Sequence, residues 1–127
     1  MPASATTVSA AQFVLRLAAL DRIIDDALST AARSATVGRA ALAVLCELEV
    51  NGPSRPGRLH EITGFTSGGV SRCLDGLVEQ GLIKRTYGTM AEDRRGVQVA
   101  ITPKGRELIR RFSSLVEPQL ESSDLAG

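Results

Sequence analysis

Apolar residues recur at three- and four-residue steps early in the chain, at Phe13, Leu17, Leu20, Ile24 and Leu28. That spacing places their side chains on one stripe of an α-helix. The helix is expected to begin at Ser9, whose hydroxyl can cap it while Gln12 reaches back in a capping box, and to run to about Ala32. A second apolar set, Val14, Leu15, Ala18 and Ile23, widens the stripe beyond what one partner surface needs. Such a helix packs on its own domain and on another subunit, or, more plainly, lies across its own core. A second helix is expected from about Val37 to Leu48, with Ala41, Val44, Leu45 and Leu48 buried and Asn51-Gly52-Pro53 as its end. Residues 52–57 hold two prolines and two glycines and read as a loop. A short helix from Arg58 to Thr63 then closes at Gly64, and Thr66 caps a longer one from Ser67 to Gln80. Val70, Cys73, Leu74, Leu77 and Val78 are its inward positions, and Gly81 ends it where a left-handed residue is wanted.

After Gly81 the period changes from near four to two. Residues 82–87 and 96–101 read as two strands, the second alternating strictly, joined by a polar turn that contains Asp93, Arg94 and Arg95. Thr102-Pro103 supplies a cap and a first-turn proline for a last helix, in which Leu108, Ile109, Phe112, Leu115 and Val116 are apolar and Pro118 is a weakening residue. The expected fold is mainly α with a small β-hairpin wing: a winged helix-turn-helix with N- and C-terminal dimerisation helices. Its parts are a flexible N-terminus (1–8), an N-terminal dimerisation helix (9–35), the winged unit (36–101), a C-terminal dimerisation helix (102–122) and a frayed tail (123–127).

Composition narrows the class of protein. The 127 residues suffice for one modest core, and 43% hydrophobic with 23% charged residues fits neither wholesale disorder nor a membrane protein. The longest apolar run, Ala40 to Cys46, is far too short to span a bilayer, and no export signal opens the chain, so a cytoplasmic location is expected. A net charge of +1 gives no global argument for nucleic acid. Locally, residues 54–95 carry Arg55, Arg58, Arg72, Lys84, Arg85, Arg94 and Arg95 against Glu61, Asp75, Glu79, Glu92 and Asp93, a modest basic excess.

The order short helix, tight turn, longer helix and hairpin suits DNA for a physical reason. The second helix is narrow enough to enter the major groove, the first braces it across the backbone, and the hairpin can reach an adjacent minor groove. Gly64 is expected to allow the close crossing of the two helices, and Phe65 to pin the turn to the core. Exposed recognition-helix positions are Ser67, Gly68, Ser71, Arg72 and Asp75.

Over Leu59 to Gly105 the chain resembles the MarR family of bacterial transcription regulators. The likeness rests on Gly64-Phe65-Thr66-Ser67, Val70-Ser71-Arg72, the run from Leu77 to Ile83, Asp93-Arg94-Arg95-Gly96, and Ile101-Thr102-Pro103-Lys104-Gly105. It implies a homodimer whose terminal helices interlock, with Phe13, Leu17, Leu20, Ile24, Leu108, Phe112 and Leu115 at the interface, on a pseudo-palindromic double-stranded operator. Thr66, Ser67, Gly68, Gly69, Ser71 and Arg72 would form the reading face. Arg95 would enter the minor groove, where negative potential is enhanced, with Asp93 holding it and Arg94 beside it. Arg55, Arg58, Lys84 and Arg85 would meet phosphates. The resemblance further implies a repressor on the nucleoid, relieved by a small effector, with no cofactor and no metal. The chain departs from the family at Gly68, Gly69 and Gly76, each costing a helix about 1 kcal/mol relative to alanine. Thr63 stands where the family usually has leucine, with Ile62 one place earlier. The chain is also short for the family at its C-terminal end, which would make the dimer interface smaller.

Cys46 and Cys73 fall on apolar faces and are expected to pack as small hydrophobes, with peroxide sensing the minor alternative. His60, the one histidine, has no partner that would make it catalytic or a ligand. No nucleophile and base stand at a recognisable spacing, so an enzyme is not expected. The rival reading is a winged protein-interaction module that uses its helix face for another protein.

Overall fold

Among the described residues five helices and one antiparallel hairpin follow in the order α1 (Pro2–Ala32), α2 (Arg39–Asn51), α3 (Pro56–Thr63), α4 (Ser67–Glu79), β1 (Ile83–Tyr87), β2 (Val97–Ile101) and α5 (Pro103–Glu121). The structure, a computed structural model, describes residues 2–87 and 96–121, and the side chains of these except at positions 2–8 and 67. Two compact units result: one is α1 with α5 from Arg111 onward, the other is residues 34–110. Among the described residues no helix is long and apolar enough to cross a membrane.

In the first unit α1 begins at Pro2, not at Ser9, so Ser9 lies inside the helix and residues 2–8 are helical. Proline at the first turn loses only an amide that has no helical partner there, and Ala3 and Ala5 favour the helix, so it extends past the expected cap. Ala27, Leu28, Ala31 and Ala32 are buried, Leu20 and Ile24 are half-buried, and residues 9–19 are exposed on every side. The C-terminal end of α1 is closed by Arg111, whose Nε and Nη2 both donate to the Ala31 carbonyl at 3.0 and 2.8 Å. In α5 Val116 is buried, Phe112 is half-buried and Leu115 is exposed. Pro118 does not end the helix, and Gln119 adds a side-chain bond to the Leu115 carbonyl at 3.1 Å.

The second unit holds its core between α2, α3, α4, the hairpin and the start of α5. Leu45, Leu59, Leu74, Leu82, Val99 and Leu108 lie at its centre, essentially inaccessible. Helix α2 starts two residues later than expected and buries Leu42 where Ala41 was expected; Ala41 is half-buried. The reason is the width of its contact, since α2 meets α3, α4 and β2 together. Gly52 ends α2 with φ +84°, its N–H donating to the Leu48 carbonyl. Helix α3 starts at Pro56, earlier than expected, because a proline with preset φ suits a first turn.

The hairpin pairs Ile83 with Ile101, Arg85 with Val99 and Tyr87 with Val97. The expected loop 52–57 contributes a further rung: Ser54 N–H donates to the Val99 carbonyl at 3.0 Å and Val99 N–H to the Ser54 carbonyl at 2.8 Å. Ser54 is thereby buried, and its hydroxyl has no hydrogen-bond partner among the described residues. Burying an unsatisfied hydroxyl is unfavourable. Ser54→Ala should therefore be neutral or stabilising, by up to about 1 kcal/mol, in chemical denaturation. A clear loss of stability would show that the hydroxyl has a favourable partner.

One corner sets the hairpin against α5. Gly81 turns with φ +76°, its carbonyl accepts from Thr102 Oγ1 at 2.6 Å, and Thr102 N–H donates to the Leu82 carbonyl at 3.1 Å. Thr102 also caps α5, its Oγ1 accepting from Gly105 N–H at 3.1 Å.

Candidate nucleic-acid interface

The turn between α3 and α4 is built by three consecutive local devices. Thr63 Oγ1 donates to the Leu59 carbonyl at 2.9 Å and accepts from Phe65 N–H at 3.3 Å. A leucine at this position could not make these bonds, so threonine here closes the turn with its hydroxyl. Gly64 adopts φ +72°, the left-handed conformation that glycine reaches without strain. A Cβ there would meet nothing within 4 Å, so the backbone conformation and not a close helix crossing is what asks for glycine. Thr66 then caps α4, its Oγ1 accepting from Gly69 N–H at 3.0 Å.

Phe65 does not pin the turn to the core: it is 38% exposed, and its ring lies over Gly69, 3.5 Å from where a Cβ would stand. Gly69 is accordingly half-buried and its amide is spent on the cap, which removes it from the exposed face of α4. Thr66, Gly68, Ser71, Arg72, Asp75 and Glu79 are exposed, and Arg72 folds back so that Nη1 lies 3.6 Å from a Cβ placed on Gly68. The side chain of Ser67 lies outside the described set, as do Asp93, Arg94 and Arg95 of the segment between the strands.

Of the four cations expected at phosphates, Arg85 is engaged elsewhere. It is half-buried and its Nη2 donates to Asp75 Oδ1 at 2.6 Å, joining β1 to the middle of α4. This pairing arises because Arg85 follows the buried Ile83 by two residues along β1, on the side that meets α4. Lys84 points to solvent; Arg58 is exposed, with Nε 3.6 Å from Glu47 Oε2; Arg55 is exposed at the N-cap of α3.

A cleft of about 390 Å³ lies between α3, α4 and the hairpin, with Pro56, His60, Ser71, Arg85, Tyr87 and Val97 on its walls. His60 thus faces a cleft, which nothing in its sequence neighbourhood announced. Tyr87, 66% exposed at the end of β1, also goes unremarked in the sequence reading; its place as the one tyrosine on a strand next to a basic pair was the available signal. A second cleft, about 420 Å³, runs along the other side of α4 past Thr36, Ala41, Cys73 and Gln80.

Cys46 and Cys73 are free thiols, both half-buried, and burial pushes each above the ordinary thiol value. The folded state therefore holds the neutral thiols more tightly than the unfolded chain does. This contribution to stability is complete below the ordinary thiol range and is lost as pH climbs through the raised folded values. At neutral pH both should react with iodoacetamide more slowly in the native protein than in denaturant, as followed by mass spectrometry. Equal rates in the two states would show that neither thiol is protected. Among the described residues no group of three or more His, Cys, Asp or Glu is placed to hold a metal ion.

No protein-family model and no curated protein sequence matches the chain. Solved structures do. A MarR mutant from E. coli complexed with operator DNA aligns with a TM-score of 0.69 at 25% identity, over 88% of this chain and 76% of that one. The transcriptional regulator Tm0710 from Thermotoga maritima aligns at 0.70 and 25%, over 87% and 76% of the two chains. The MarR family transcription regulator SP03579 aligns at 0.70 and 22%, over 93% and 77%. The chain has the winged helix fold of these structures, of which Tm0710 and SP03579 are transcriptional regulators.

Proposed function

We propose that this chain is a sequence-specific regulator of transcription that binds double-stranded DNA as a homodimer, and that it represses until a small effector alters the spacing of its two reading heads. The observation that carries the reading is the exposed face of α4, bearing Ser71 and Arg72 beside the hairpin, in a fold shared with a protein solved on operator DNA. In this reading α4 lies in the major groove, where Arg72 bonds a guanine edge or a phosphate, and Arg95 enters the minor groove under the hold of Asp93. Lys84, Arg55 and Arg58 add phosphate attraction, which carries affinity and salt dependence but no sequence preference. Arg85 supports this surface through Asp75. Half-sites one helical turn apart, on a pseudo-palindrome, match two such units related by a two-fold axis. The place of work is the nucleoid, in the cytoplasm.

The test is binding to DNA upstream of its own coding region, followed by fluorescence anisotropy at several salt concentrations. Arg72→Ala should weaken binding by roughly 10- to 100-fold if it reads a base, with specificity relaxed at that position. If Arg72 meets a phosphate, all sequences should weaken alike and the salt slope should fall by about one. Arg95→Ala should have an effect at least as large. A folded dimer that binds no duplex at low salt would overturn the proposal. The outer face of α4 also carries Asp75 and Glu79, which favours the second reading, a protein-interaction module. Under that reading Arg95→Ala leaves partner binding unchanged.

A further inference from the structure

The segment that leads from α1 into α2 is held by a side chain remote in sequence. Gln80 follows α4 as its C-cap residue, and its carboxamide grips the backbone of Thr36. Thr36 N–H donates to Gln80 Oε1 at 2.6 Å, while Gln80 Nε2 donates to the Thr36 carbonyl at 2.9 Å. Two bonds of opposite direction to one residue reproduce the pairing offered by a neighbouring strand, so they fix the orientation of Thr36 as well as its distance. Nε2 also donates to the Gly76 carbonyl at 3.3 Å, tying the amide to the last turn of α4.

The base of this clamp is itself braced. The Gln80 carbonyl accepts from Lys104 Nζ at 2.9 Å, and the adjoining Gly81 carbonyl accepts from Thr102 Oγ1 at 2.6 Å. At the other end Arg33, directly after α1, holds φ +56°, a conformation few residues other than glycine adopt. The chain therefore leaves α1 through a constrained residue and is gripped three positions later by the end of the proposed reading helix. Loops without such ties absorb displacement as local motion.

We propose that Gln80 is a positioning residue: its clamp on Thr36 makes the segment before α2 rigid against the end of α4, so that the spacing of the two reading heads stays stiff. This rests on the dimeric DNA-binding reading above. A stiff pair of heads tolerates little change in half-site separation, because one base pair turns a half-site by about a tenth of a helical turn. A slack pair pays more to bind the best site and discriminates less among the others.

The test compares the full-length chain with Q80A and Q80E. Q80E keeps the acceptor for Thr36 N–H but loses both donor bonds. Hydrogen exchange without DNA should show the Thr36 amide opening about tenfold faster in Q80A, the factor worth one ordinary hydrogen bond, with Q80E between. For binding, the probe is the duplex that the unaltered chain selects from a random pool, together with versions whose half-sites are moved by one base pair in either direction. Q80A should bind the best spacing more weakly and show a preference among spacings flattened by about threefold or more, with Q80E intermediate. Unchanged exchange at Thr36, or a loss of affinity equal at every spacing, overturns the proposal. If the unaltered chain selects no duplex, the DNA reading falls, and the exchange measurement alone decides whether the clamp exists.

Discussion

Gly105→Ala is expected to destabilise the second unit by about 3 kcal/mol, the upper range for forcing atoms into a filled core. An added Cβ would lie 2.3 Å from the Leu82 carbonyl oxygen, 3.2 Å from its carbon and 2.8 Å from Ile101 Cγ1. Neither neighbour can yield cheaply. Leu82 and Ile101 are both buried, and the Leu82 carbonyl already accepts from Thr102 N–H, so moving it would break the corner that sets the hairpin against α5. The drop in melting temperature should be on the order of 15 °C for a unit of this size. Gly76→Ala is the matched contrast. It is a helical glycine whose Cβ would meet nothing within 4 Å, so alanine there should stabilise by up to about 1 kcal/mol. Thermal unfolding of both variants checks the pair, and a Gly105→Ala protein that melts with the unaltered chain would refute the steric argument.

The second large effect is expected at the exposed apolar part of α1. Phe13 and Leu17 are 65% and 54% exposed in the single chain, and Val14 and Leu15 are likewise open to solvent. Full burial of such a side chain is worth about 1.5–3 kcal/mol, and a two-fold interface uses each position twice. Replacing Phe13 and Leu17 together by aspartate would leave charges unpaired at that surface. Light scattering should then report half the mass of the proposed dimer. Affinity for a two-site duplex should fall by about 100-fold or more, because the second half-site is no longer bound intramolecularly. The second unit should still melt cooperatively, since neither residue belongs to it. Unchanged mass would place the interface elsewhere.

These expectations draw on parts of the molecule that were unequally legible. The type and order of the elements followed from apolar period and turn residues, and the Thr66 cap and the left-handed Gly81 stand where local chemistry put them, whereas Gly64, expected to make room for a helix crossing, is needed for its left-handed backbone. Such features depend on residues within four or five positions of each other. The start of α1 was misplaced because a good capping residue, Ser9, does not oblige a helix to begin when the preceding residues also favour it. Ala41 was preferred to Leu42 because a stripe read along one helix does not say how many neighbours that helix has.

The exposed face of α4 was partly legible in the same sense. Thr66, Gly68, Ser71 and Arg72 are exposed as their helical positions require, whereas Gly69 is covered by Phe65 and Arg85 is joined to Asp75. Ten positions separate Arg85 from Asp75 and 44 separate Gln80 from Thr36, too far for any local rule to connect them.

On its own the chain determined the type and order of the helices and strands, the caps at Thr66 and Thr102 and which cations are available, since covalent neighbours settle backbone conformation and side-chain period. Tertiary structure decided that Arg85 is joined to Asp75, where Ser54 finds its strand partner, and which side chains enclose the two clefts. Those outcomes depend on the rotation of each helix about its axis and on the register of the hairpin beside α4, and these are set only when all the buried faces pack at once.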